Sequence, residues 1–314
     1  MGHAEPMQIG INGSSLIALG SSTDEIVAHA AQAEADGFPT YWLAQLGAPD
    51  ALTVLAVVGR ATSTMELGTA VISTWPRHPL MLAAQALTTQ EIIGGRLILG
   101  IGLAHKSSVE DTLRIPFARP AHNMDEYLQV LLPVLADRQV DVEGTVWSAK
   151  VDAVGGPPGV AAPSVMLAAM GPRMLEMAGA RTDGTILWLS GPRTVAERIR
   201  PALETAADKA GRPAPRIVAS VPVCVTDDAD GVRSLIAQIL ADYNTLPSYR
   251  SVMDAEGVAG PEGVSLVGNE DEVAAGLARF AEAGTTDFSA LEFTLNPDDA
   301  ARTRALLQSV HAAS

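Results

Sequence analysis

The segment Ala168-Ala169-Met170-Gly171-Pro172-Arg173 combines residue types that suit the binding of a phosphate group. Small residues end an apolar strand, Gly171 permits the close approach of a ligand, and Pro172 suits the first position of a helix. The free amides of a helix N-terminus bind phosphate without overall positive charge, and Arg173 could add a charge-assisted contact. An ordinary turn between a strand and a helix is the alternative interpretation.

His105 has the chemistry needed for proton transfer. It comes soon after the apolar strand Leu97 to Ile101, and its neighbour Lys106 could stabilise a reduced anion by charge alone. Histidine titrates near neutrality, so His105 could deliver a proton to a bound ring. A solvated loop histidine is the alternative. Gln45, which also follows a predicted strand, can form hydrogen bonds but cannot transfer protons.

The stretch from Leu67 to Gly102 predicts the elements that position such residues. Glu66 to Ile72 is apolar and suits a strand buried on both faces. A helix is expected to begin at Pro79 and to end at Gly94-Gly95, where a left-handed cap is inexpensive. Leu97 to Ile101 is the next strand. A strand, a helix and a strand at this spacing form a βαβ unit, so the sheet is predicted to be parallel.

The whole chain alternates strands and helices about eight times, at roughly 35–40 residues each, which predicts an α/β fold of the (β/α)₈ TIM-barrel type. The other predicted strands are Gln8 to Asn12, Thr40 to Ala44, Val165 to Ala169, Thr185 to Leu189, Ile217 to Val225 and Phe288 to Phe293. A doubly wound sheet is the competing architecture. Its glycine fingerprint is incomplete here, because Gly100 to His105 lacks the third glycine.

We expect one domain over residues 1–314, because no internal linker interrupts the pattern. Insertions are predicted at about 103–122, 139–163 and 243–262. The second of these contains a glycine- and proline-rich run, Gly155 to Gly159, and reads as a small hairpin plus a long turn. Barrel enzymes keep such excursions near the active face, so this insertion is a candidate lid.

The bulk composition excludes several classes of protein. A net charge of −15 without a basic run argues against nucleic acid binding, and no apolar run reaches membrane-spanning length. Cys224 is the one cysteine, which predicts a small core residue and is compatible with the cytoplasm. No secretory signal is visible, and no spacing typical of metal ligands occurs, so we expect a cytoplasmic protein without a metal.

Several sequence motifs, taken in their order along the chain, resemble those of the luciferase-like flavin and deazaflavin oxidoreductases. They are LGTAV at residues 67–71, RHP at 77–79 and GGRLILGIG at 94–102. The likeness continues through LAAMGPRMLEMAGARTDGTI, PVCVTDD and LVGNEDEV. The chain looks most similar to the branch of that family that uses the deazaflavin coenzyme F420.

This resemblance implies a site at the carboxyl ends of the strands. Relatives have a non-prolyl cis peptide and a bulge at the residues that match Ala70-Val71, against the central ring of the cofactor. They bind a phosphate on the turn that matches Gly171-Pro172-Arg173. Related sugar-phosphate dehydrogenases have a glutamate where this chain has His105 and an acid–histidine pair where it has Gln45-Leu46. We therefore expect His105 and Gln45 as catalytic residues. The expected cofactor-binding residues are Asn12, Ala70, Val71, Thr74, Gly102, Lys106, Ser108, Ala168, Ala169, Met170, Gly171, Pro172 and Arg173.

Other polar and aromatic residues of the same strand ends have simpler explanations. Arg77 is expected to pair with a neighbouring acid and His78 to satisfy a turn. Trp75, Trp188 and Tyr243 could line a substrate pocket, although most tryptophans are core or rim residues.

The resemblance predicts an oxidoreductase that transfers a hydride between coenzyme F420 and a small organic substrate. Because Gln45 cannot act as a base, reduction of the substrate by reduced cofactor is more plausible than oxidation of an alcohol. A homodimer is expected by the same resemblance. The alternatives are an FMN-dependent monooxygenase, a non-catalytic flavin-binding protein, and a barrel isomerase or lyase without a redox cofactor.

Overall fold

Eight parallel strands close into a barrel in the computed structural model, which describes residues 6–154 and 159–313. Closure is made by the first and last strands, where Gln8 pairs with Asp287 and Ile9 with Phe288. The (β/α)₈ prediction is therefore confirmed and the doubly wound alternative is wrong. The barrel strands are β1 (Gln8–Asn12), β2 (Thr40–Leu43), β3 (Glu66–Thr69), β4 (Leu97–Gly102), β5 (Ser164–Leu167), β6 (Gly184–Trp188), β7 (Arg216–Ser220) and β8 (Asp287–Glu292).

Helices surround this barrel and cover its outer face with apolar side chains. They are α1 (Ser14–Ala18), α2 (Thr23–Ala35), α3 (Ala51–Ala61), α4 (Pro79–Ile92), α5 (Pro120–Asp137), α6 (Pro172–Arg181), α7 (Pro192–Thr194), α8 (Arg200–Ala210), α9 (Ala229–Ile239), α10 (Pro247–Glu256), α11 (Glu270–Ala283) and α12 (Pro297–Ala313). Shorter helical turns span Ser108–Thr112, Val195–Ile199, Ala241–Thr245 and Pro261–Gly263. No helix in this described part of the chain is long and apolar enough to cross a membrane.

The barrel interior is filled by one layer of large side chains, and ion-paired side chains lie at its amino-terminal end. The layer consists of Trp42, Ile98, Met166, Ile186 and Val218, which pack together as a separate cluster. A filled interior is typical of this fold and leaves the strand ends as the place for ligands.

An ion-paired group closes the amino-terminal end of the barrel. Arg216 on β7 lies 2.5 Å from Asp287 on the adjacent β8 and 3.2 Å from Glu66 on β3, at the opposite wall. Burial disfavours the charged guanidinium, but hydrogen bonds and charge from both acids raise its pKa above the ordinary arginine value.

The predicted strand Glu66 to Ile72 is interrupted, and this part of the prediction is wrong. Gly68 pairs with Ile98 while Ile72 pairs with Ile101, so β3 has one residue more than β4 over this interval. A bulge of this kind bends the strand and re-aims its side chains. The Thr69 hydroxyl replaces the lost ladder, because it donates to the Gly100 carbonyl at 2.8 Å and accepts from the Gly100 amide at 2.9 Å.

The predicted strand Ile217 to Val225 is likewise two strands. After β7, a second strand, Pro222–Val225, pairs with the end of β8 and with Leu266–Gly268, a strand that the sequence did not predict. Pro222 cannot donate a ladder hydrogen bond, so the change of partner falls at this residue.

The excursions from the barrel combine predicted and unpredicted structure. The expected hairpin forms from Val140–Val142 and Ala149–Val151. Gly155 to Pro158 lie outside the described residues. The insertion near 243–262 contains α10, and the one near 103–122 contains the turn Ser108–Thr112 and the start of α5. The single-domain organisation stays a prediction.

Candidate functional site

The bulge after β3 forms a floor at the carboxyl ends of the strands. Ala70 and Val71 are half-buried and pack on the interior layer of the barrel. The peptide bond between them is cis. The Ala70 amide donates to the Leu43 carbonyl at 2.8 Å, which ties the floor to the adjacent strand β2.

Gly102 brings three segments together beside this floor. A Cβ at this position would lie 2.7 Å from Val71 Cγ2 and 3.1 Å from Ala168 Cβ, so no larger residue fits without movement. Thr74 holds Gly102 in place, since its amide donates to the Gly102 carbonyl at 3.0 Å and its hydroxyl at 3.3 Å. Thr74 is fully buried and positions the floor in this arrangement, and its contact with a cofactor stays a prediction.

The turn after β5 leaves a helix N-terminus open. Gly171 is the N-cap of α6, with φ −93° and ψ 156°, and no side chain caps the first amides. No atom lies within 4 Å of the position where a Cβ would stand, and Pro172 and Arg173 are exposed. The strand below is held by Thr185, whose hydroxyl accepts from the Ala169 amide at 3.2 Å. The free amides of such a helix N-terminus can bind an anion.

The next helix shows what a filled N-terminus looks like. The N-cap of α7 is also a glycine, Gly191, and also lacks its own side-chain cap. Here the Glu256 carboxylate accepts from the amides of Arg193 at 3.2 Å and Thr194 at 2.8 Å. Glu256 therefore occupies the place at α7 that is open at α6.

His105 is brought to an aromatic cluster above the same edge. Its ring lies edge-to-face with Tyr243 at 5.8 Å and with Tyr249 at 5.6 Å. Burial lowers the pKa of His105 below its ordinary value, so the neutral ring is favoured near pH 7. Tyr243 also contacts Trp188, the last residue of β6, at 6.4 Å.

A cavity of about 290 Å³ lies between the loop after β4 and the segment after α9. The residues that line it are His105, Ser107, Ser108, Asp242, Tyr243, Thr245 and Leu246. Ser108 therefore lines this cavity, and its role in cofactor binding stays a prediction. Lys106 is exposed and pairs instead with Glu110 at 3.7 Å.

Two other predicted residues are engaged inside the chain. The side-chain nitrogen of Asn12 donates to Ser220 Oγ at 3.1 Å, and its side-chain oxygen accepts from the backbone amide of Ser14 at 3.0 Å. Gln45 accepts from the Ala51 amide at 3.0 Å and donates to the Gly47 carbonyl. In this arrangement both side chains brace the strand ends, and their roles toward a ligand stay predictions.

Arg77 and His78 have the structural roles that the sequence predicted. Arg77 pairs with Asp50 and donates to Gln85 Oε1 at 2.7 Å. His78 is the N-cap of α4, where its Nδ1 accepts from the Leu80 amide at 3.2 Å.

Sequence reasoning missed three residues of this region. Ser73 pairs with Gly102 across the bulge, and its buried hydroxyl has no hydrogen-bond partner among the described residues. Tyr249 is a buried ring against His105, and Asp242 supplies a carboxylate to the cavity. Only Ser73 had a signal in the sequence, because it lies next to the LGTAV word. The described ranges contain no group of three or more His, Cys, Asp or Glu side chains that could hold a metal ion.

Comparison with known proteins gives a consistent family. A family model described as luciferase-like monooxygenase matches residues 7–287. A 5,10-methylenetetrahydromethanopterin reductase of Methanolobus tindarius is 27% identical over 238 residues, which cover 74% of this chain and 71% of that protein. A protein of Mycobacterium tuberculosis named "Putative coenzyme F420-dependent oxidoreductase" is 31% identical over 229 residues, covering 68% of this chain and 66% of the relative.

A solved structure supports the same fold. The coenzyme F420-dependent tetrahydromethanopterin reductase of Methanopyrus kandleri superposes with a TM-score of 0.78 at 21% identity. The superposition covers 98% of each chain.

Proposed function

The chain belongs to the luciferase-like monooxygenase family, and from this premise we propose that it is an oxidoreductase that binds coenzyme F420 at the barrel mouth. We further propose that the bound, reduced cofactor reduces a small organic substrate. The observation that carries the proposal is the open N-terminus of α6. This helix begins soon after Ala168, which lies beside Gly102 at the edge of the floor formed by Ala70 and Val71.

The residues at the mouth fit a flat ring with a phosphate-bearing tail. The floor is made of small side chains, and the buried Ser73 hydroxyl next to Gly102 lacks a partner that a ring edge would supply. The uncapped amides of α6 offer a phosphate seat in an acidic protein of net charge −15.

Coenzyme F420, when bound, supplies the ring carbon that accepts or donates a hydride. The chain supplies position and exclusion of water. Gly171, Pro172 and Arg173 would hold the phosphate, while Ala70, Val71 and Gly102 would support the ring. His105 would donate or accept a proton at its imidazole, a role that its half-buried position in the lining of the cavity supports.

The direction of reduction is supported by what surrounds Gln45. This residue cannot transfer a proton, and both ends of its amide already bond to the chain. A base for oxidation of an alcohol is therefore lacking at this strand end.

Cofactor titration tests the proposal. We would titrate the purified chain with coenzyme F420, FMN and riboflavin and follow quenching of cofactor fluorescence. We expect F420 to bind at least tenfold more tightly than FMN, and FMN more tightly than riboflavin, which lacks the phosphate. Tight binding of FMN alone would support the monooxygenase alternative, and binding of no cofactor would leave the isomerase or lyase.

Turnover then separates an enzyme from a flavin-binding protein. Reduced coenzyme F420 would be mixed with a panel of activated C=C, C=N and carbonyl compounds, and its oxidation followed by absorbance. Oxidation that depends on both the compound and the protein is the expected result. Binding without oxidation across the panel would favour the flavin-binding alternative.

A further inference from the structure

The cavity beside His105 contains charge of one sign. Among its lining residues, Asp242 is the one carboxylate, and neither a lysine nor an arginine is present. Asp242 is exposed, so its carboxylate is accessible to a molecule that enters. Ser107, Ser108 and Thr245 add hydroxyl groups and no charge.

The basic side chains closest in sequence are engaged with other groups. Lys106 is 69% exposed and pairs with Glu110. Arg250 donates to Asp254 at 2.8 Å and to the Ala259 and Val258 carbonyls at 2.7 and 2.8 Å. The ion-pair partners of these two cations are therefore Glu110 and Asp254, not Asp242.

Aromatic rings form the wall next to this carboxylate. Tyr243 lines the cavity directly and is packed edge-to-face against Tyr249 at 4.7 Å. The His105 ring completes a triangle with them, since it lies 5.8 Å from Tyr243 and 5.6 Å from Tyr249. Rings held in place in this way attract an organic cation through their quadrupole, and a carboxylate adds Coulomb attraction.

We propose that this cavity binds an organic cation of the substituted-ammonium class, with Asp242 as the specificity-determining residue and Tyr243 as the aromatic contact. Identification of that cation as the substrate, or as a part of it, rests on the proposed function. Binding of the cation itself does not.

Isosteric probes test the charge preference on the full-length chain. Choline, its neutral isostere 3,3-dimethyl-1-butanol and the anion 3,3-dimethylbutanoate have similar size and differ in charge. Ligand-observed NMR titration would give a Kd for each probe. We expect choline to bind at least fivefold more tightly than the neutral alcohol and the anion to bind least. Equal binding of choline and the alcohol, or preference for the anion, would overturn the proposal.

Variants assign the preference to the cavity. Asp242→Asn should reduce the ratio between choline and the alcohol to about one, Asp242→Glu should keep it, and Tyr243→Leu should weaken choline more than the alcohol. Asp271→Asn removes the same charge from an exposed position on α11 and should leave the ratio unchanged. An unchanged ratio in Asp242→Asn would contradict the assignment.

The same preparations would be titrated with coenzyme F420. If the wild-type chain does not bind F420 but does prefer choline, only the proposed function is overturned. F420 binding without any choline preference would overturn only the cation site.

Discussion

Replacement of Gly171 by aspartate should stabilise the fold and weaken cofactor binding at the same time. Gly171 has extended backbone angles that any residue can adopt, and there is open space where a side chain would begin. An aspartate at this N-cap position would accept hydrogen bonds from the first amides of α6. Those amides are the groups that we assign to the phosphate.

The two effects have different sizes. Relative to glycine, an aspartate N-cap with its favourable charge should raise the free energy of unfolding by about 0.3–1 kcal/mol. Two unit charges 4 Å apart interact by about 1–4 kcal/mol between an effective dielectric constant of 80 and one of 20. We therefore expect repulsion and loss of the amides to weaken binding by about 2–3 kcal/mol, or about 30- to 150-fold in Kd.

Gly171→Ala is the matched control. Alanine fits the same open space, lacks a capping group and leaves the amides free, so Kd should stay within about twofold while stability falls slightly. Urea unfolding gives the stability and fluorescence titration gives the Kd. The reasoning is refuted if aspartate weakens binding no more than alanine does, or if alanine weakens it as much as aspartate.

Three further predictions concern the floor, the proton donor and the hairpin. Gly102→Ala should lower the free energy of unfolding by about 1–3 kcal/mol in urea, because its Cβ would lie 2.7 Å from Val71 Cγ2, and a variant as stable as the wild type would contradict that contact. If His105 is the acid, the turnover rate should fall as pH rises through a pKa below 6.5, and His105→Gln should abolish this dependence. Glu126→Gln should destabilise the protein by about 2 kcal/mol in urea, because its carboxylate accepts from the amides of Thr145, Val146 and Trp147. Burial opposes the Glu126 charge, but these hydrogen bonds lower its pKa from 4.5 to about 2. The contribution of Glu126 to the free energy of unfolding is therefore present above pH 4.5 and is lost as the pH falls through about 2. Acid titration followed by circular dichroism would show this loss.

Local signals in the sequence were sufficient for the barrel and for most helix ends. The Ser22-x-x-Glu25 pattern typical of a capping box forms one at the start of α2, and α4 begins at Pro79 as expected. The bulge after Thr69 was implied by the family resemblance but not by the apolar pattern, because one extra residue leaves the composition of a strand unchanged. The break at Pro222 was signalled by the proline, and its consequence depended on a distant partner, Leu266–Gly268.

Site residues divide in the same way. Gly171 and Pro172 could be identified because a helix N-terminus is a local feature. The roles of Asn12, Gln45 and Thr74 depend on where their hydrogen bonds go, and their partners come from other strands and loops. The contact of His105 with Tyr243 and Tyr249 joins residues more than a hundred positions apart, so periodicity along the chain could not show it.

The ion pairs of Arg216 with Asp287 and Glu66, at the amino-terminal end of the barrel, have a consequence for the order of ligand binding. Since these ion pairs and the Trp42 layer occupy the barrel interior, a molecule on the Val71 floor is expected to exchange with solvent at the carboxyl ends of the strands. A cofactor bound on the Val71 floor would then be covered by the substrate that binds after it. Steady-state kinetics should accordingly be sequential and ordered, with the deeper molecule first to arrive and last to depart.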